Sequence, residues 1–330
     1  MTDLLRKIYR EYAVADEELK RTTRKYLAIK GAFLFPFYIL AGALVGVPGL
    51  YLRIRCAIIG VKVLFKGNFL EAYRLIVNPL DSVRYFELSY LLESIEKLSP
   101  KYYLDVSSPR LLPLLICRFH KLLKGDLLNP SNDDLERTKE LARLIGVANR
   151  CHFINMAIEE LGNKNTHYDL ITCVSVLEHI VDDKQAIATM WESLCDGGTL
   201  MLTVPVARNA FEEYTNINEY KLLNADNDGF VFWQRYYDHN LLAENIFSVT
   251  GIPVEVRIFA EKTRGGYDRN VKQKREDILY PFWKEPYITA KLFKYVDDLS
   301  VIDGMGVIAM VFKKSFRKSA EIFSGGLNDE

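Results

Sequence analysis

A glutamate and a histidine stand side by side, Glu178 and His179, at the end of the apolar run YDLITCVSVL (168–177). A histidine titrates near neutrality, so it can take a proton from an oxygen or nitrogen nucleophile. The alternative is structural, with His179 capping the following turn and Glu178 bonded to nearby backbone. The pair therefore predicts either proton transfer or a local structural role.

The elements around this pair alternate between strands and helices from Lys101 onward. Strands are predicted at 101–108, 121–129, 151–157, 168–176, 199–206, 254–262 and 304–314, with helices between most of them. Such alternation indicates a parallel sheet covered on both faces. Ligands of open α/β sheets bind beyond the carboxyl ends of the strands. We therefore expect the Glu–His pair at a ligand-binding edge.

The composition is that of a globular protein. Of the 330 residues, 49% are hydrophobic and 26% are charged. Lys plus Arg equals Asp plus Glu at 43 each, so no overall basicity favours a nucleic-acid partner. The five cysteines form no CxxC pair and have no metal-ligand spacing. They predict a reducing cytoplasm and no metal site.

The order of these motifs resembles the class I S-adenosylmethionine-dependent methyltransferases that act on small molecules. The resemblance rests on YLDVSS (103–108), YDLITCVSVLEHI (168–180) and LCDGGTLMLTVP (194–205), and covers roughly residues 100–315. It implies an α/β fold, a Rossmann-like sheet of seven strands with helices on both faces. It also implies S-adenosyl-L-methionine as cofactor and methyl transfer to an O or N nucleophile of a small or lipid-linked molecule.

The resemblance assigns candidate cofactor contacts to the ends of the strands. These candidates are Asp105, Ser107, Ser108, Asp126, Asn129, Ala157 and Ser175. Asp105 and the residues after it are placed for the amino-acid end of the cofactor. For the ribose, spacing favours Asn129, whereas Asp126 has the better chemistry.

Two positions depart from the family pattern. Ser107, Ser108 and Pro109 stand where the family usually has Gly-x-Gly, which lets the backbone approach the cofactor with positive φ. Ala157 stands about where the family often has an aspartate for the adenine amine. A catalytically inactive methyltransferase-like binding or scaffold protein is therefore the alternative function.

Aromatic side chains follow the fifth strand and predict a substrate wall. The candidate substrate residues are Tyr214, Trp233, Arg235, Tyr236 and Tyr237. Segments 207–240 and 263–303 are predicted as substrate caps, and a packed lid without substrate contact is the alternative. Arg235 could pair with an anionic substrate or form an ion pair within the protein. Upstream, Tyr85 and Glu87 are candidates for closing the site.

Residues 1–99 are predicted as a helical N-terminal region, in which 2–30 form an amphipathic helix. Gly31–Leu52 runs for 22 residues without a charge, about the length that crosses a bilayer. The segment 31–65 could span the membrane, lie in one leaflet or pack as a soluble helix pair. Basic residues on both flanks favour the second arrangement at the cytoplasmic face. The sequence leaves open whether the chain forms a homodimer. Residues 316–330 are expected to be a tail.

Overall fold

The computed structural model describes residues 5–13, 17–121, 123–162 and 167–315. The strands are β1 Arg6–Arg10, β2 Tyr102–Val106, β3 Lys124–Leu128, β4 Cys151–Ile154, β5 Tyr168–Val174, β6 Leu194–Ala207, β7 Phe211–Thr215, β8 Val231–Tyr236, β9 Glu255–Glu261, β10 Phe293–Val296 and β11 Met305–Lys313. The helices are α1 Glu17–Val45, α2 Leu50–Leu64, α3 Phe69–Val77, α4 Arg84–Glu96, α5 Leu111–Phe119, α6 Asn132–Ile145, α7 Asp183–Ser193, α8 His239–Leu241, α9 Ser248–Thr250, α10 Gly266–Glu276 and α11 Glu285–Leu292. A π-helical turn, Leu242–Phe247, joins α8 to α9.

The main sheet of the described chain has eight strands in the order β10-β9-β11-β6-β5-β2-β3-β4. Strands β4, β3, β2, β5 and β6 are parallel, and β11 runs antiparallel between β6 and β9. Seven of these strands were expected from the sequence, and β10 is added at the edge by segment 263–303. The chain turns one way from β2 and the other way from β5, so the switch point lies between these two strands.

Apolar side chains cover both faces of the sheet. One cluster joins buried residues of α2 to α6 with sheet residues such as Tyr103 and Leu170. The other joins Ile187 of α7 and Ile246 of the π-helical turn with sheet residues such as Leu202. Helices on both faces confirm the predicted α/β class and leave the strand ends open for a site.

A second sheet lies beyond the carboxyl ends of the main sheet, with the order β1-β7-β8. Strand β1 pairs in parallel with β7, from Arg6 opposite Phe211 to Arg10 opposite Thr215. The expectation that 2–30 form one amphipathic helix is wrong for 6–10, because this segment pairs as a strand with β7. The predicted cap 207–240 is thus a small sheet completed by the N-terminus.

The apolar run Gly31–Leu52 does not form one continuous helix. It fills the second half of α1, a turn with positive φ at Gly46 and Gly49, and the start of α2. Pro36 lies inside α1. Among the described residues, the helix Lys25–Val45 has the length and composition of a membrane span, and 11% of its most apolar window is buried.

Candidate active site

The strand before the Glu–His pair ends in a sharp turn at Ser175. Its φ of 49° lies in the left-handed region that residues other than glycine rarely adopt. The Ser175 N–H donates to Thr203 Oγ1 of the neighbouring strand β6 over 3.0 Å. A 3₁₀ turn, Leu177–His179, follows directly. Both ionisable side chains therefore leave the sheet at the carboxyl ends of β5 and β6.

A cavity of about 310 Å³ opens at this edge between the two sheets. Five of the predicted site residues line it: Ser175, Glu178, His179, Trp233 and Tyr236. Ser175, Glu178 and His179 follow β5 of the main sheet, and β8 supplies Trp233 and Tyr236. Segment 263–303 closes another side through Lys274 and Arg275. The structure thus brings the Glu–His pair and part of the predicted substrate wall together.

Glu178 is a buried carboxyl group with an unused oxygen. The residue is 3% exposed, and its Oε2 has no hydrogen-bond partner among the described residues. Burial raises the pKa of Glu178 from 4.5 to about 8, although the Arg84 guanidinium opposes this shift. The side chain is therefore mostly protonated at neutral pH and becomes a basic carboxylate when it ionises.

His179 is held by its neighbours in a neutral form. Its Nδ1 lies 2.5 Å from the carbonyl oxygen of Trp233, so Nδ1 carries the proton and donates. Burial lowers the pKa of His179 to about 4. The ring packs edge-on against Tyr220 and Trp233. Its Nε2 lies 3.9 Å from Glu178 Oε1, beyond hydrogen-bond distance.

Helix α4 reaches the same edge through Glu87, which is fully buried. One carboxylate oxygen accepts from Ser175 Oγ and Thr203 Oγ1, each over 2.7 Å. The other oxygen accepts from Arg84 Nη1 over 2.6 Å. Glu87 thus joins α4 to the ends of β5 and β6. Tyr85, the other candidate from this helix, is 1% exposed and belongs to the core cluster.

The loop after β2 uses its hydroxyl groups within the protein. Ser107 has a φ of 51° and donates from Oγ to Leu128 O over 3.0 Å. Ser108 Oγ accepts from the Val174 N–H over 3.1 Å. Ser107 therefore adopts the left-handed backbone for which the family uses glycine. The two hydroxyls brace β3 and β5 and lie outside the cavity lining.

Asp105 is also braced by neighbouring groups. Its Oδ1 accepts from Thr172 Oγ1 at 2.7 Å and from Tyr103 Oη at 3.1 Å. Its Oδ2 accepts from the Ser108 N–H at 3.1 Å. Burial raises the pKa of Asp105 to about 6, even though these donors favour the charged form. Asp105 thus fixes the start of the loop from inside the sheet.

The ends of β3 and β4 hold the remaining cofactor candidates. Asp126 lies within β3 and accepts from Tyr168 Oη over 2.7 Å. Asn129 follows the last residue of β3, and its Oδ1 accepts from the Ser131 N–H over 2.8 Å. Ala157 lies directly before the 3₁₀ turn Ile158–Glu160. Of the two ribose candidates, Asn129 is the one at the carboxyl end.

Comparisons with known proteins give a family match and several relatives. A family model described as "Methyltransferase domain" matches residues 120–202. The tRNA 5-carboxymethoxyuridine methyltransferase of Escherichia coli K12 is 33% identical over 86 residues, which are 26% of this chain and 32% of the relative. The chain thus spans about a third of the length of the curated relatives it matches.

Two solved structures illustrate the structural matches. Coclaurine N-methyltransferase, bound to N-methylheliamine and SAH, has a TM-score of 0.45 at 11% identity and covers 69% of this chain and 71% of its own. The 1,6-didemethyltoxoflavin-N1-methyltransferase of Burkholderia thailandensis has a TM-score of 0.44 at 11% identity, with 78% and 88% covered.

The family match runs from just before β3 into β6 and includes Glu178 and His179. The resemblance to class I methyltransferases is confirmed. Residues 101–315, which hold the main sheet and include the matched residues 120–202, are called the methyltransferase domain below for short. The two closing strands predicted at 254–262 and 304–314 are observed as β9 and β11, and β11 runs antiparallel to both β6 and β9.

The aromatic wall of the methyltransferase domain divides into lining and structural members. Trp233 stacks on Tyr220 with ring centroids 5.4 Å apart, and both line the cavity. Tyr237 is fully buried and donates from Oη to Asp183 Oδ2 over 2.6 Å. Tyr214 stacks on Tyr9 of β1, away from the cavity lining. Tyr214 thus packs within the small sheet, and Tyr237 ties the chain after β8 to α7.

Arg235 is tied to acidic side chains of the methyltransferase domain. Its Nη1 lies 3.0 Å from Asp183 Oδ2, and its Nη2 lies 3.3 Å from Glu212 Oε1. Arg235 is 6% exposed, so the observed arrangement is a buried ion pair. Arg235 is not among the residues that line the cavity, and an anionic substrate would have to displace Asp183 or Glu212 to pair with it.

Several cavity-lining residues lie outside the motifs that the sequence singles out. Lys274 Nζ lies 2.7 Å from Glu285 Oε1 and 3.2 Å from Asp81 Oδ2. Ser82 has a φ of 48°, and its buried Oγ has no partner among the described residues. Tyr12, near the N-terminus, packs under Arg275. The charged, aromatic composition of 263–303 is the signal in the sequence for Lys274 and Arg275.

No group of three or more His, Cys, Asp or Glu side chains suited to a metal ion is found in the described parts of the chain. The sequence-based expectation of a metal-free site stays a prediction.

Proposed function

We propose that this protein transfers a methyl group from S-adenosyl-L-methionine to an O or N nucleophile of a small or lipid-linked molecule. The observation that carries the proposal is Glu178, a buried carboxyl group with an unpartnered oxygen in a cavity. It stands at the carboxyl end of β5, inside the segment that matches the methyltransferase family. A cavity of about 310 Å³ suits the reacting part of a small acceptor.

Two orphaned polar atoms support a polar ligand at this edge. Glu178 Oε2 and Ser82 Oγ are buried without partners in the described chain, and both residues line the cavity. Such atoms normally have a partner, so the cavity fits a ligand with polar groups. We assign the amino-acid end to the backbone after Asp105, the ribose to Asn129 and the adenine to Ala157.

Glu178 is the group we assign to proton transfer. When bound, S-adenosyl-L-methionine supplies an electrophilic methyl group whose bond to sulfur breaks as the acceptor's oxygen or nitrogen bonds to carbon. Ionised Glu178 takes the proton that the acceptor loses. His179 is a weaker base because its pKa is about 4. Its Nδ1 bond to Trp233 O makes it a positioning residue.

Isothermal titration calorimetry of the full chain with S-adenosylmethionine and S-adenosylhomocysteine tests the proposal. We expect both compounds to bind. Asp105→Asn should weaken binding, because the loop after β2 loses the carboxylate that fixes its start. Asp169→Asn is the matched control, because Asp169 accepts from the Lys101 and Tyr102 N–H groups at the opposite end of the sheet.

Absence of binding by the folded wild-type chain would contradict the enzyme proposal. That result would favour the alternative, a catalytically inactive binding or scaffold protein. The Ser107 and Ser108 hydroxyls, which are bonded within the protein, are the observation that keeps this alternative in view. Binding that survives Asp105→Asn in a folded variant would show that the cofactor site lies elsewhere.

We place the protein in the cytoplasm, at the cytoplasmic face of a membrane, with a lipid-linked molecule as one class of acceptor. The apolar run that continues from α1 into α2 supports this placement. The balanced charge of the chain, 43 basic against 43 acidic residues, gives no support to a nucleic-acid acceptor. A homodimer is the alternative use of the apolar surface.

A further inference from the structure

Helix α1 exposes a continuous apolar stripe. Phe33, Phe37, Leu40 and Leu44 follow one another at intervals of four, three and four residues, which places them on one face. They are 75%, 68%, 62% and 82% exposed. Single exposed apolar residues are ordinary on protein surfaces, but contiguous patches mark interaction sites. This stripe is therefore a surface that needs a partner.

Helix α2 continues the apolar surface. Ile54, Ile58 and Val61 recur at intervals of four and three residues and are 56%, 54% and 44% exposed. Phe65, directly after the helix, is 87% exposed. The opposite side of α2, including Ile59, is buried in the core. Helix α2 is therefore apolar on two sides, and the protein covers only one of them.

The charged residues within the segment that carries this surface have one sign. Residues 25–70 contain six Lys and Arg and no Asp or Glu. Four of the six, Lys25, Lys30, Lys62 and Lys66, are exposed. A basic, apolar helical surface is the chemistry that binds the interface of a bilayer with anionic headgroups.

We propose that the exposed faces of α1 and α2, with Phe65, form a lipid-binding surface that lies in the plane of an anionic membrane leaflet. This surface is called the interfacial face below. The inference deepens the membrane part of the proposed function and rests on the proposed function only there. It names the partner as lipid headgroups and acyl chains of one leaflet, not a protein.

An in-plane position follows from how α1 is attached. A methyl group at Gly31 would overlap Tyr73 and Trp283, and one at Gly42 would overlap Pro286. These two close contacts lie about 16 Å apart along the helix. Helix α1 is therefore held against the domain along much of its length. A bilayer crossing would drag Pro286 and its charged neighbours of α11 into the hydrocarbon.

The charge pattern also disfavours a second copy of the chain as the occupant. A two-fold interface places the same surface on both sides. Pairing this face with itself would bring exposed lysines, such as Lys30 and Lys62, near one another without acidic residues of 25–70 to neutralise them. Anionic headgroups supply the missing charge.

Vesicle flotation of the full chain tests the interfacial face. We expect stronger binding to phosphatidylcholine vesicles with about one-third phosphatidylglycerol than to pure phosphatidylcholine, and weaker binding in high salt. The triple variant Phe33→Ser, Phe37→Ser, Leu40→Ser should bind the anionic vesicles at least about tenfold more weakly than wild type. The control Ile252→Ser, Val254→Ser, Val301→Ser removes exposed apolar residues outside α1 and α2 and should bind as wild type.

Depth quenching separates the two membrane arrangements. Phe33→Trp and Leu44→Trp place probes about 16 Å apart along α1. An in-plane helix gives equal quenching of both by lipids brominated at one depth, whereas a spanning helix gives unequal quenching and overturns the inference.

In the flotation experiment, recovery of both wild type and triple variant in the fraction without vesicles also overturns the inference. Concentration-dependent dimers abolished by the triple variant, together with absent vesicle binding, would assign the face to a second copy. None of these results affects calorimetric binding of S-adenosylmethionine, which tests the proposed function separately.

Discussion

Glu178 and His179 are neighbours whose pKa values move in opposite directions for one physical reason. Burial disfavours the charged form of each, so it raises the pKa of the acid to about 8 and lowers that of the imidazole to about 4. Both side chains are therefore mainly neutral at pH 7. Sequence alone favours histidine as the base, because an unperturbed imidazole titrates closer to neutrality. Under the proposed function, these two pKa shifts favour Glu178 as the base.

The pH dependence of methyl transfer distinguishes the two residues. If ionised Glu178 takes the proton, kcat should rise with pH and level off above a pKa of about 8. Glu178→Gln should remove this rise and lower kcat by about a hundredfold or more. The measurement is a pH–rate profile at saturating cofactor and acceptor.

Glu219→Gln is the matched control for that experiment. Glu219 also lines the cavity, but its side chain is 53% exposed and pairs with Arg275. Its loss should leave the profile unchanged. A profile that rises near a pKa of about 4 and persists in Glu178→Gln would instead identify His179 as the base.

Glu178 should also make folding less favourable as pH rises. Its pKa in the folded protein, about 8, lies above the ordinary 4.5. The unfolded chain therefore releases this proton first, and stability is lost as pH rises from about 4.5 to 8. Glu178→Gln should gain thermal stability relative to wild type over that window, and be similar to it below. Scanning calorimetry of both proteins between about pH 4 and 9 checks this. A constant difference at every pH would count against the raised pKa.

At the scale of elements, helix α4 is fixed to the sheet edge by one carboxylate. Glu87 accepts from Ser175, Thr203 and Arg84. Glu87→Ala should leave these donors without their acceptor and destabilise the fold by about 2–4 kcal/mol. Glu93→Ala, at an exposed position of the same helix, should cost less than about 0.5 kcal/mol. Equilibrium urea unfolding measures both, and equal effects would show that the network contributes little.

The elements that the sequence predicted are those whose local pattern agrees with their final environment. Strands such as YDLITCV are apolar because both faces of a parallel sheet are buried. Ser131 caps the start of α6, since its Oγ accepts from the Asp134 N–H. The break at Asn78-Pro79 ends α3. Local chemistry sufficed for these elements.

The elements that were missed depend on partners far away in the chain. Strand β1 carries the charged sequence RKIYR and becomes a strand because β7 pairs with it about 200 residues later. Ser82 and Lys274 reach the cavity only after α4 and segment 263–303 have folded against each other. The local sequence pattern of neither segment predicts this contact. Sequence therefore placed the Glu–His pair at the end of its strand and left most of the residues that line the cavity unassigned.

Strand β1 is held to the cavity rim by Arg10. Its Nη2 donates to Asp268 over 3.0 Å, and its Nε lies 2.9 Å from the buried Glu213 carboxylate. Arg10→Gln should leave Glu213 without its cation and let β1 open more often. We expect chymotryptic cleavage after Tyr9 or Tyr12 to become about tenfold faster. Arg6→Gln changes an exposed residue of the same strand and should not alter the rate; equal acceleration in both variants would refute the role of Arg10.

At the scale of the whole molecule, the N-terminal helices and the methyltransferase domain share a core. Leu52, Ile59 and Val63 of α2 belong to the same buried cluster as Tyr103 and Leu170 of the sheet. The domain division at residue 99, expected from the sequence, marks the point where the predicted elements change from helices alone to alternating strands and helices. The buried core nevertheless contains residues from both sides of this division. Helix α2 is thus both a core element and, on its other side, part of the interfacial face.

Removal of residues 1–66 should therefore prevent the rest of the chain from folding. Burying side chains such as Leu52, Ile59 and Val63 contributes about 1.5–3 kcal/mol each, against a total stability of about 5–15 kcal/mol. We expect the truncated chain to be insoluble or to lack a cooperative thermal transition. Removal of 316–330 takes away no described residue and should leave the transition unchanged. A soluble 67–330 chain with a cooperative transition and bound S-adenosylmethionine would show instead that the methyltransferase domain folds alone, and would make the N-terminal helices a separable membrane anchor.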